Sequence, residues 1–257
     1  MEIRKLEPIA QKARTLLLKS TKEKLHAILD NPNHEFRRAK PEAVETLVRM
    51  VENLGEQAII DKVAYMWFNR FIALRFMDVC SFNPVKVLSA NENETQIEII
   101  ALAETGVFDS RLTSQKTQMD VKAILSNENN STTKYKDALS RLIVGACNKY
   151  SETMPFLFQK VDDYSELLIP DDLVSDDSTL ALIRDAIDEN AVEELGVSLI
   201  GWLYQFYISE RKAEVIGSVV DTADIPAATQ LFTPEWIVRY LVDNSLGRAW
   251  LGKNPDD

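Results

Sequence analysis

Several groups of side chains in this 257-residue chain have types and spacings that bear on chemistry. His26 and His34 are the only histidines, and they fall on different predicted segments without a cysteine or carboxylate set at metal-ligand spacing. Serine–histidine catalysis finds no G-x-S-x-G turn and no acid–base partner. Pro170-Asp171 followed by Glu210-Arg211-Lys212 imitates the PD…ExK pattern, in which carboxylates hold Mg²⁺ and a lysine orients water. Glu210 and Lys212, however, close a helical run where a nuclease core of that kind needs a strand. Trp202, Tyr204, Phe206 and Tyr207 offer rings on which bases could stack, but their helical spacing suits core packing better.

Residues 228–247, ATQLFTPEWIVRYLVDNSLG, have a more specific form. An extended lead-in precedes Thr233-Pro234, which opens an amphipathic helix. Threonine at the cap with proline at the first helical position leaves free backbone N–H groups pointing outward, a natural seat for a carboxylate. Phe232, Trp236 and Tyr240 are placed to dock this helix on the rest of the chain.

At this segment the chain resembles the PglX methyltransferases of BREX phage-defence systems. More broadly, it resembles the adenine methyltransferases of type I and combined restriction-modification systems, whose helical domain is followed by a Q-x-F-T-P cofactor motif. Residues 64–79 (AYMWFNRFIALRFMDV) and 201–212 (GWLYQFYISERK) also resemble family helices, in the same order. The resemblance implies that Gln230, Phe232, Thr233 and Pro234 lie against S-adenosylmethionine. Thr233 would hold the methionine carboxylate or amino end, with Phe232 packed beside it. It also implies the remainder of a methyltransferase and double-stranded DNA as partners. Other phage-defence components, or phage DNA-mimic inhibitors on the basic N-terminal side, extend that set.

Methyl transfer needs two further motifs. A glycine-rich strand-to-helix turn lets backbone amides and ribose approach closely, yet the eight glycines here include no G-x-G pair. An Asn/Asp-Pro-Pro-aromatic motif accepts hydrogen bonds from a flipped adenine, and Asn31-Pro32, Asn83-Pro84 and Asn254-Pro255 each lack the second proline. The family places both motifs after the Q-x-F-T-P helix. The resemblance therefore implies a chain without catalytic residues of its own, inactive alone, flanking an α/β Rossmann-like methyltransferase domain that lies outside it. Two other readings stand beside this one: a protein-interaction module of a defence complex, and a Mg²⁺-dependent nuclease domain.

The elements that must position these residues are helices. Hydrophobic residues make up 46% of the chain, and its long stretches mix Leu, Ala and Ile with Glu, Lys and Gln, which lose little rotamer freedom in helices. A mainly α fold is expected, with three parts: a helical domain over 1–160, an acidic helical subdomain over 161–227, and the start of a methyltransferase domain over 228–257. Periodicity predicts two consecutive helices before Asn31-Pro32, the second opened by a capping box at Ser20–Glu23. Further helices are predicted over 41–54, ended by Gly55, and over 57–80, 94–104, 118–125, 134–150, 196–212 and 234–246. NENNSTT (127–133) reads as an exposed polar loop, and LLIP (167–170) as a strand or extended connector.

The net charge of −11 opposes phosphate-backbone binding unless the positive charges gather on one face. They are uneven: residues 1–40 hold ten Lys/Arg against five Asp/Glu, whereas 161–195 hold twelve Asp/Glu against Arg184 alone. Contact with DNA is thus expected from the beginning of the chain. No run reaches the ~18 apolar residues of a membrane span, the start lacks a secretory signal, and Cys80 and Cys147 have the surroundings of small buried hydrophobes. A cytoplasmic location is expected.

Overall fold

Ala10, Ala13, Leu17, Thr21, Leu25 and Ile28 recur every three or four positions, and all six are fully buried along one side of a single helix. The computed structural model describes residues 3–92, 94–127, 133–158, 164–216 and 225–254. Its helices are α1 (Leu6–Asp30), α2 (Glu35–Ala39), α3 (Pro41–Leu54), α4 (Glu56–Val79), α5 (Glu98–Glu104), α6 (Gln115–Leu125) and α7 (Lys134–Tyr150). They continue as α8 (Tyr164–Leu167), α9 (Thr179–Ala186), α10 (Glu189–Leu195), α11 (Ser198–Val215), α12 (Ile225–Thr229), α13 (Glu235–Val242) and α14 (Arg248–Lys253). The fold is mainly α. Among the described residues, extended pairing is confined to one isolated bridge, Ala90 with Ile97, and no helix is long and apolar enough to cross a membrane.

Several boundaries differ from the sequence expectation. Thr21 faces the core, so Ser20–Glu23 lies inside α1 and caps nothing; the apolar stripe runs through it unbroken. Helix α5 starts at Glu98 rather than 94, because Ala90 and Ile97 form the bridge and the Glu98 N–H donates to the Ser89 carbonyl. Helix α6 starts early, where the Ser114 hydroxyl accepts the Thr117 N–H. Leu168 and Ile169 of LLIP are buried without strand pairing, and Lys24 Nζ donates to the Ile169 carbonyl. The NENNSTT segment lies almost wholly outside the described residues. The expected stop between α3 and α4 is present, with Gly55 at φ +84°, a conformation that favours glycine.

Gln57, Ala58 and Lys62 in the first turns of helix α4 face solvent, but from Val63 to its end no residue is exposed. Val63, Phe68, Ile72, Ala73 and Phe76 are at most 8% exposed and spread around its circumference, so this part must be enclosed. Helices α1, α3, α9, α10 and α11 pack on it, and the Trp67 indole N–H donates to the Ser165 carbonyl in α8. The buried residues of α8–α11 share one apolar cluster with those of α1–α7.

The last turn of α4 carries a buried carboxylate. Asp78 accepts the N–H groups of Val87 (2.8 Å) and Leu88 (2.7 Å), the Ser89 hydroxyl (2.8 Å) and the Asn83 amide. Burial pushes the Asp78 carboxyl above its usual range, and these four donors act the other way. The Tyr150 hydroxyl donates to Asn83 Oδ1, while Arg75 donates to the Ser89 hydroxyl (2.6 Å) and the Ile187 carbonyl (2.8 Å). One network thereby fastens the 83–89 loop, α7 and the end of α9 to α4. Asp78→Ala should lower unfolding free energy by about 3 kcal/mol, because it strands several buried donors. Tyr150→Phe should cost about 1 kcal/mol; urea denaturation of both variants checks the order.

Cys147 is fully buried in α7, and burial pushes its thiol up to about 12. Its folded value lies above the ~8.5 of a free thiol. The protonated thiol's contribution to stability is therefore complete below about pH 8.5 and is lost as pH rises toward 12. At pH 8, a native Cys80→Ala variant should resist a thiol reagent and react only in denaturant; fast native labelling would place Cys147 at the surface.

Candidate functional site

Gly201, Gln205 and Lys212 stand four and seven residues apart, spacings that put them on one face of α11. The segment before α13 lies along that face. Gln205 Oε1 accepts the Phe232 N–H at 2.9 Å, and Lys212 Nζ donates to the Gln230 carbonyl at 3.1 Å. The Phe232 ring sits directly on Gly201: a Cβ there would lie 2.0 Å from Phe232 Cε2. Trp202 meets the same ring edge-on, with centroids 5.2 Å apart, a pairing worth about 1 kcal/mol.

Elsewhere around its circumference α11 is joined to the core. Tyr207 packs on Phe68 (4.3 Å between centroids) and on Tyr65 (5.7 Å), and Tyr65 also meets Tyr204 (5.8 Å). Burial raises the hydroxyl pKa of both Tyr204 and Tyr207, so these rings stay neutral and serve packing. The three segments that carry the family resemblance, 64–79, 201–212 and 228–247, thus converge: α4 supports α11, and α11 supports the Q-x-F-T-P strip.

The four expected site residues are placed as follows. Gln230 is exposed and uses its backbone carbonyl, Phe232 is half-buried on α11, Thr233 is exposed, and Pro234 is half-buried. The expected cap is corrected: Pro234 itself occupies the cap position in extended backbone, and α13 begins at Glu235 with no side-chain cap. The Pro234 carbonyl takes the N–H groups of Ile237 (3.0 Å) and Val238 (3.3 Å). Among the described residues no acceptor meets the Glu235 and Trp236 N–H groups, and the Thr233 hydroxyl has no partner. All three residues are exposed to solvent. Only Phe232 of the three expected docking aromatics docks; Trp236 and Tyr240 are 70% and 63% exposed. The helix also continues past Gly247, whose φ of −59° keeps it right-handed, through a π turn (Asp243–Gly247) into α14.

Taken singly, Gly201 and Gln205 carry no signal of a site role in the sequence, and Lys212 stands out there only in the nuclease-like pattern, although all three lie within GWLYQFYISERK. Their 0, 4, 11 spacing is the available signal, and it becomes meaningful only once the neighbour across the face is known.

The nuclease pattern does not assemble. Asp171 pairs with Lys24 (2.5 Å) and Glu210 with Arg14 (2.8 Å). Those cations are ten residues apart on α1, about 15 Å at 1.5 Å per residue. Lys212 is engaged with Gln230. His26 bridges Asp30 and Glu56, and the His34 ring caps α2 through the Phe36 N–H. The basic start is also partly committed: Arg14, Lys24 and Lys40 pair with Glu210, Asp171 and Glu166, and Arg37 caps the end of α1 at Ile28, Leu29 and Asn31.

No family model matches the chain. It is 43% identical over 215 residues to the adenine-specific methyltransferase BrxX of Escherichia coli O9:H4 (strain HS), a match covering 82% of this chain and 17% of that protein. It is 36% identical over 216 residues to the adenine-specific methyltransferase PglX of Lacticaseibacillus casei (strain Zhang), covering 75% of this chain and 16% of that one. The chain is a homologue of part of these methyltransferases. It spans about one sixth of the length of either relative.

In this BrxX/PglX-homologous chain, none of the described residues from Glu235 to Lys253 is buried. Trp236 (70%), Leu246 (69%) and Trp250 (57%) are among the apolar residues left open, a patch of the kind that marks an interaction surface. In the isolated chain, acrylamide should quench much of the tryptophan emission, and a Trp236→Phe/Trp250→Phe double variant should lose most of the quenchable part. Emission from Trp67, which is fully buried, should persist unquenched.

Proposed function

We propose that this chain is the helical N-terminal part of an adenine-specific DNA methyltransferase of a BREX phage-defence system. In this reading residues 1–160 and 161–227 are its helical and acidic parts, and 228–257 begin the methyltransferase domain. Gln230, Phe232, Thr233 and Pro234 form one wall of the S-adenosylmethionine site. The observation that carries the reading is the strip before α13. It is pinned to α11 through Phe232 and the Gln230 carbonyl, while Thr233 and the first N–H groups of α13 are left without partners.

The residues present fit the group. The Thr233 hydroxyl and the Glu235 and Trp236 N–H groups are donors suited to a methionine carboxylate, and the positive end of α13 favours an anion. When bound, S-adenosylmethionine supplies a sulfonium methyl for the adenine amino group. The part of this chain is to bind and orient one end of the cofactor. The exposed apolar helix from Glu235 to Lys253 provides the surface for the rest of the enzyme, so the chain alone is inactive. Cytoplasmic double-stranded DNA is the substrate of the whole. Uncommitted cations such as Lys12, Lys22 and Arg38 are the contacts available from the basic start, alongside an interaction surface for other defence components.

The test is calorimetric titration of S-adenosylmethionine into the full-length protein and its Thr233→Ala variant. Loss of a hydrogen bond to a charged carboxylate should weaken affinity roughly 10-fold or more. Unchanged affinity removes Thr233 from the site.

A further inference from the structure

We propose that Gly201, Gln205 and Lys212 are positioning residues for the cofactor wall: they set where the Gln230–Pro234 strip stands without touching the cofactor. This rests on the cofactor reading of Thr233 given above.

Three independent contacts from one helix face converge on two residues of the strip, Gln230 and Phe232. The Lys212 ammonium holds the carbonyl of Gln230, and the Gln205 side-chain oxygen holds the N–H of Phe232. Gly201 supplies the absence of a side chain that lets the Phe232 ring reach the α11 backbone. Thr233 follows Phe232 directly, so its placement depends on a bond and a ring seat one residue away. Leu231 and Thr233 between and beside these contacts are exposed. The strip therefore has little besides α11 to fix it, and α11 is in turn fixed by Phe68 and Tyr65 of α4.

A methyl group at position 201 would stand 2.0 Å from Phe232 Cε2, well inside contact distance, so the ring must move. A displacement of about 1 Å at a positioned group can cost on the order of 100-fold in rate. In the full-length enzyme, Gly201→Ala should raise KM for S-adenosylmethionine on the order of 10-fold and leave KM for DNA within a factor of two. The thermal melt of the helical part should be retained. The effect should vanish in a Phe232→Leu background, where adding Gly201→Ala costs nothing further. Gln205→Ala should repeat the cofactor KM effect, and Gln205→Glu, which keeps an acceptor oxygen, should restore most of it.

If Gly201→Ala does not fold, the Gln205→Ala and Gln205→Glu pair decides. A cofactor KM unchanged in Gln205→Ala, or equally raised in Gln205→Glu, overturns the proposal. Equal rises in both KM values would show general loosening and overturn it too. Thr233→Ala separates the layers. If that variant weakens cofactor binding while Gly201→Ala and Gln205→Ala do not, positioning by α11 fails and the cofactor wall stands. If Thr233→Ala has no effect, both fail.

Discussion

From Val63 onward helix α4 has no exposed residue, and the arrangement of the other helices follows from that constraint. Enclosing it takes α1, α3, α9, α10 and α11, drawn from both the basic and the acidic stretches of the chain. The enclosure brings opposite charges together. Lys24 meets Asp171 and Lys40 meets Glu166, so an uneven charge distribution along the sequence becomes a set of local ties. Partly exposed pairs of this kind contribute about 0–1 kcal/mol each. They orient the acidic stretch more than they stabilise it, and they remove cations from any phosphate-binding face.

The polar counterpart of that apolar enclosure is the Asp78 network. A buried carboxylate is tolerated only with its hydrogen bonds made, and Asp78 has four donors drawn from a loop with little secondary structure of its own. The loop's path from Asn83 to Ser89 is therefore dictated by the end of α4. Apolar packing holds the helices, and a single carboxylate organises the connection.

Much of this was legible in the sequence. The α3 and α7 spans, Gly55 as the stop, and a long helix over 57–80 follow from periodicity and punctuation. What failed had local causes. Ser20–Glu23 has capping chemistry, but a cap forms only where the chain turns, and the core stripe through Thr21 kept it helical. The helix expected over 234–246 runs on through Gly247, because glycine is also compatible with right-handed helix. At the candidate site, Gln230, Phe232, Thr233 and Pro234 were visible as a motif. Their supports, Gly201, Gln205 and Lys212, were not, because a contact between residues roughly 20–30 positions apart has no periodic signature in a single chain.

The π turn at Asp243–Gly247 has a geometric consequence for anything that covers the final helix. In an uninterrupted α-helix Trp236 and Trp250 would lie close to one meridian, since fourteen residues make nearly four turns at 3.6 residues each. A π turn holds about one residue more than an α turn, which swings everything beyond it by about 100° around the axis. The two indoles therefore point to different quadrants. A flat surface could shelter one of them, and a partner that shelters both has to be concave and wrap the helix like a cuff.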